Sequence, residues 1–135
     1  MTRTLSLFAL AGLAVFAVGC GPSTATVSGT VSHNGKKVVW GAVSLVAADG
    51  STHTAQIARD GTYRIPNVPT GAAQVGVTSP DPYPEGKNGK YDGRYKPPTD
   101  LPDGAWFPLP DKFADPKKSG LSVYVGGGGG DLDLK

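Results

Sequence analysis

The sequence predicts an all-β protein, a single β-sandwich preceded by an export signal. Three observations carry that reading. No sustained helical apolar period follows residue 20, where the composition is rich in Gly, Pro, Val and Thr. Several short segments alternate apolar and polar residues with a period of two, as half-buried strands do. Turn-forming pairs such as Asn34-Gly35, Asp49-Gly50 and Asp60-Gly61 separate those short segments, 15 and 11 residues apart, near the rhythm of a sandwich.

The export signal comes first. Arg3 is followed by an uncharged apolar stretch from Leu5 to Val18. A spanning helix needs ~20 apolar residues, so this stretch is too short to be one. A basic start, an apolar centre and small residues before a cut describe a secretory signal over residues 1–19. The small residues are Ala17-Val18-Gly19, and Cys20, the only cysteine of the chain, comes next. A lone cysteine in an exported chain makes no internal disulfide; it is a free thiol, an intermolecular partner or a modified residue.

The run Ala17-Val18-Gly19-Cys20 resembles the lipobox of bacterial lipoproteins, with Ala17 where leucine is usual. That resemblance implies cleavage before Cys20, a diacylglycerol on its sulfur and a further acyl chain, such as palmitate, on its new amino group. Buried acyl chains contribute roughly 0.8 kcal/mol per methylene, and more than one chain anchors stably. The expected location is the extracytoplasmic face of a bacterial membrane, in the cell envelope. Residues 20–24 read as a lipidated tether, and 25–135 as one domain of sufficient length for a real core.

The strands follow in order. Thr24 to Ser32 alternates, with Ala25, Val27, Gly29 and Val31 on one face. Asn34-Gly35 supplies the positive φ angles of a tight hairpin. A second strand is expected from Val38 to about Val46, with Val39, Gly41, Val43 and Leu45 inward. A short strand follows from Thr54 to Ala58. The Asp60-Gly61 turn leads into Tyr63-Arg64-Ile65, and Pro66 and Pro69 place Asn67-Val68 at a sheet edge or in a loop. Gly71 opens a strand that turns Ala73, Val75 and Val77 inward. The alternation then stops from Ser79 to Gly120, a segment dense in proline, glycine and charge. Such a long loop is uncommon in a compact domain and usually functional or disordered. Leu121 to Val125 alternates again, Gly126 to Gly130 is a flexible turn, and Asp131 to Leu134 closes an edge.

Val27-Ser28-Gly29-Thr30-Val31, Asn34-Gly35-Lys36, Asp60-Gly61-Thr62-Tyr63-Arg64-Ile65, Val68-Pro69-Thr70-Gly71 and Val75-Gly76-Val77 follow one another in that order. Together they resemble the carboxypeptidase regulatory-like (transthyretin-like) domain, an Ig-like β-sandwich. The ending, from Lys112-Phe113-Ala114-Asp115-Pro116 to Asp131-Leu132-Asp133-Leu134, is similar to small planctomycete-type lipoproteins built on that domain. Lys37 and Val39 depart from the family at common proline positions, Trp40 at a usual glycine and Ala73 at a frequent aromatic. The resemblance implies fold and location more than activity.

Chemistry is sparse. His33 and His53 lack close cysteine or carboxylate company, and exposed turn positions suit them better than a metal site. No His-Glu-x-x-His and no Gly-x-Ser-x-Gly occurs, and an acylated Cys20 leaves no thiol nucleophile. Gly86-Lys87-Asn88-Gly89-Lys90 lacks the spacing of a phosphate loop. The formal net charge of +2 gives no basic patch for nucleic acid. No cofactor is expected, and a non-catalytic binding or structural module is the leading reading. The alternative is a small transthyretin-like envelope hydrolase, although the chain ends in Leu134-Lys135 without the Tyr-Arg-Gly-Ser-type tail of the hydroxyisourate hydrolases.

One unassigned feature stands out. Tyr83, Tyr91, Tyr95, Trp106 and Phe107 lie in the long loop among Lys87, Lys90, Arg94 and Lys96. Either they form a contact surface for a glycan, peptidoglycan or an envelope protein, or they pin the loop onto the sandwich. Pinning is the plainer of the two readings.

Overall fold

A computed structural model of the chain describes residues 21–83 and 98–135. Eight strands run β1 (Thr24–His33), β2 (Lys36–Lys37), β3 (Ala42–Val46), β4 (Thr52–Gln56), β5 (Thr62–Pro69), β6 (Gly71–Thr78), β7 (Leu121–Val125) and β8 (Leu132–Leu134). The only helical element described is a 3-10 turn at Asp111–Phe113. The protein is all-β, as its composition and two-residue periods predict.

The strands form two four-stranded sheets. In one, β1 pairs with β2 and β5 antiparallel and with β8 parallel. The other has the order β4-β3-β6-β7, antiparallel throughout. Alternate residues of both sheets meet in one core: Val27, Val31, Tyr63, Ile65 and Val68 from the first, Val43, Leu45, Ala73, Val75, Val77 and Val125 from the second. A strand buries one side chain in two, and full burial of each such side chain stabilises by roughly 1.5–3 kcal/mol.

The second strand departs from its expected bounds. Lys36–Lys37 returns the hairpin on β1, and β3 begins only at Ala42. Between them the chain crosses from one sheet to the other, burying Val38 and leaving Val39 half-buried. Gly41 has φ 125°, and a Cβ there would stand 1.9 Å from the Thr78 carbonyl oxygen. A strict alternation from Val38 is broken by that close passage. Val43 and Leu45 are buried as expected.

Pro66 and Asn67 lie inside a strand. β5 pairs with β1 alone, which leaves an edge where proline costs no ladder bond. The register shifts between Ala25 and Val27, and Asn67 takes up the extra residue at φ 56°. Asparagine is one of the few side chains that tolerates this left-handed conformation.

Two poles result from the strand directions. The base holds the start of β1 and the β3–β4, β5–β6 and β7–β8 turns. The opposite pole holds the β1–β2 hairpin, the β4–β5 turn and both shoulders of the long loop. No helix among the described residues is long and apolar enough to cross a membrane.

Candidate functional site

The loop pole is built on the ends of β1 and β6. Past Thr78, the Ser79 carbonyl and hydroxyl accept from Trp106 Nε1 at 3.2 and 3.0 Å. The next carbonyl, of Pro80, accepts from Trp40 Nε1 at 2.9 Å. Two indoles thus clamp the outgoing chain at consecutive residues. Tryptophan suits this role because its ring buries area while its single donor needs one acceptor.

Arg59 holds the returning chain. Its guanidinium lies 4.8 Å from the Trp40 ring centroid and makes two bonds to Asp100, Nε–Oδ2 at 3.0 Å and Nη2–Oδ1 at 2.9 Å. Those bonds hold the Asp100 carboxyl below its usual range. Leu101 beside it is buried. Further on, Phe107 stacks on the His33 ring at 6.1 Å, and Phe113 meets the same ring edge-on at 6.0 Å. Lys36 and Lys112 each bring Nζ to 4.7 Å from the Phe107 and Phe113 centroids.

Of the five loop aromatics singled out by sequence, Trp106, Phe107 and Tyr83 are half-buried in this pole. Trp106 and Phe107 are engaged as just described, and the Tyr83 backbone N–H donates to Asp81 Oδ1 at 2.7 Å. Tyr91 and Tyr95 lie outside the described residues, as do Cys20 and residues 1–19. Sequence reasoning missed Trp40, Arg59 and Asp100. They sit in three different connections, and no spacing along the chain signals that they converge.

His33 also differs from expectation. It is half-buried between two phenyl rings instead of exposed. Nδ1 lies 3.0 Å from the Leu134 carbonyl and Nε2 3.2 Å from Asn34 Nδ2. A neutral ring carrying its proton on Nδ1 satisfies both partners at once.

A cleft of about 250 Å³ separates Val77–Pro80 from Leu109–Asp111 and Ala114. It offers the hydroxyls of Thr78 and Ser79 and one carboxylate, Asp111. A single acid with no adjacent base supplies acceptors for hydrogen bonding and no proton relay.

The other polar cluster is at the base. Asp49 Oδ1 accepts from the Ser51 N–H at 2.9 Å and hydroxyl at 2.5 Å, and Ser51 Oγ lies 2.9 Å from His53 Nε2. These bonds lower the Asp49 pKa. Here the hydroxyl stands between acid and imidazole, whereas nucleophile activation needs the imidazole between hydroxyl and acid. The cluster closes the β3–β4 turn. Asp60 does the same for the β4–β5 turn, accepting from the Thr62 N–H at 3.0 Å and hydroxyl at 2.6 Å. Among the described residues, no group of three or more His, Cys, Asp or Glu converges on a common point.

Fold and site thus define a two-sheet all-β domain with one elaborated loop pole. No family model matches the chain, no curated protein matches it, and no solved structure matches it.

Proposed function

We propose that this protein is a lipid-anchored cell-envelope module with a binding or structural role, held at the membrane by acyl chains on Cys20. Its sequence resemblance to the carboxypeptidase regulatory-like (transthyretin-like) sandwich supports a scaffold that presents loops. The observation that carries the reading is the abrupt start of the fold. Ser23 already accepts the Thr70 N–H at 3.0 Å and shares a 2.7 Å hydroxyl contact with Thr70, and β1 begins at Thr24. A domain that starts three residues after an acylated cysteine is displayed directly at the lipid surface. The loop pole, where Trp40, Arg59, Trp106 and Phe107 gather, is the surface offered to a glycan, peptidoglycan or envelope protein.

The test is mass spectrometry of the mature N-terminus from an acylating bacterial host, beside a Cys20→Ser variant. Acyl chains on Cys20 and an unprocessed or mislocalised variant are expected. An unmodified Cys20, or cleavage elsewhere, overturns the anchoring. A pull-down of the intact lipidated protein from its envelope then identifies the partner.

A further inference from the structure

The base pole differs from the loop pole in charge and in side-chain size. Its turns comprise Val46–Thr52, Pro69–Gly71 and Val125–Gly129, together with Gly21–Ser23 leading into β1. Asp49 carries the only charge among these residues, and its carboxylate is tied into its own turn by Ser51. At the other pole, Lys36, Lys37, Arg59, Asp60, Asp100 and Lys112 crowd one end. The base is built of small residues, rich in glycine, with the Asp49 carboxylate as its single charge.

One large ring stands out there. Tyr124 is 67% exposed, the one exposed large hydrophobic side chain among the described residues. It lies opposite Ala72 at the lower end of β7, and its carbonyl accepts from the Gly127 N–H at 3.3 Å. Val125 fills the core beside it, so the pleat turns Tyr124 outward. Tyrosine is enriched where an apolar ring meets hydrocarbon and a hydroxyl meets headgroups.

We infer that the base pole, with Tyr124 at its margin, is a lipid-facing surface that rests on the headgroup layer and turns the loop pole away from the membrane. The inference rests on acylation of Cys20, proposed above. Covalent geometry limits the alternatives. Three extended residues reach ~11 Å at most, so Cys20 stays close to Ser23, which is bonded to Thr70 in the base. The ten residues of β1 rise ~30 Å from that end toward His33. The tether is therefore much shorter than the domain is tall, and the base is the end that meets the bilayer. The acyl chains supply the affinity, and the base, whose one carboxylate is tied into its own turn, meets anionic headgroups with little repulsion.

The tryptophans provide the test, because Trp40 and Trp106 both lie at the loop pole. The lipidated mature protein is placed in vesicles of phosphatidylethanolamine and phosphatidylglycerol containing a phospholipid with a nitroxide on its headgroup. Wild-type tryptophan emission is expected to stay unquenched, while Tyr124→Trp, at an exposed position, adds a component that is quenched several-fold. Quenching of the wild-type emission, or an unquenched Tyr124→Trp, overturns the orientation even though the protein sediments with the vesicles. Mass spectrometry of the same sample separates the other failure. Protein without acyl chains on Cys20 overturns the anchoring itself, and this inference with it.

Discussion

The Tyr63 hydroxyl donates to the carbonyl of Gly130 at 2.5 Å, joining residues 67 positions apart. The bond locks the end of the glycine run against β5, immediately before β8 pairs with β1. Both residues are buried, so neither the hydroxyl nor the carbonyl has water as a substitute partner. Tyr63→Phe keeps the ring and leaves the carbonyl unpaired, and is expected to cost about 1–3 kcal/mol in urea denaturation. Tyr63→Ala also empties the ring site and is expected to cost roughly 3–5 kcal/mol. Equal stability of Tyr63→Phe and wild type would show that the bond contributes nothing.

The same phenol sets an alkaline limit. Burial, and secondarily the negative charge of Asp131, push the Tyr63 pKa up from 10.0 to about 12. The folded state favours the neutral form, so this contribution is complete below pH ~10, the ordinary tyrosine value. It is lost as pH rises through about 12. Ultraviolet titration should show one tyrosine ionising late, together with falling stability across that window. In Tyr63→Phe both the late step and that part of the loss should vanish.

Gly29 and Gly130 touch backbone to backbone. A Cβ on Gly29 would lie 2.3 Å from the Gly130 carbonyl carbon, and one on Gly130 would lie 2.7 Å from the Tyr63 hydroxyl. Gly29→Ala should therefore displace β8 and sever the Thr30 N–H bond to Asp131 Oδ1, which is 2.7 Å long. A loss of about 3 kcal/mol or more and fast amide exchange in β8 are expected. Gly127→Ala makes a matched control, since its Cβ would meet nothing closer than 3.4 Å. Its stability should stay within about 0.5 kcal/mol of wild type.

The two indole clamps predict how the long loop opens. Trp106→Ala removes a half-buried ring and the donor to Ser79, and should cost roughly 2 kcal/mol with faster exchange in the returning segment around Leu101. Arg59→Ala removes a partly exposed ion pair with Asp100 and a cation above Trp40, and should cost about 1 kcal/mol or less. If Trp106→Ala melts as wild type does while weakening capture of envelope material, the ring is a contact residue and not a clamp.

Much of this architecture was legible in the residues. The alternations Ala25–Val31, Val43–Leu45, Ala73–Val77 and Leu121–Val125 identify strands because a pleat sends neighbouring side chains to opposite faces. Asn34-Gly35 and Asp60-Gly61 mark turns because the positive φ angles are local properties of those residues.

Tertiary structure alone decided the rest. That β8 joins β1 in parallel, that Gly29 must be bare because Gly130 crosses it, and that His33 lies between Phe107 and Phe113 all depend on residues about 75 to 100 positions apart. Local periodicity carries no information about such encounters. The same holds for Trp40, Arg59 and Asp100, whose shared position comes from three connections meeting at one pole. Which end of the domain Gly21–Ser23 lead into is likewise a property of strand direction: only the antiparallel pairing of β1 with β5 brings Ser23 to Thr70. Sequence patterns determine which face of a strand is buried; long-range contacts determine what that face, and each end, is set against.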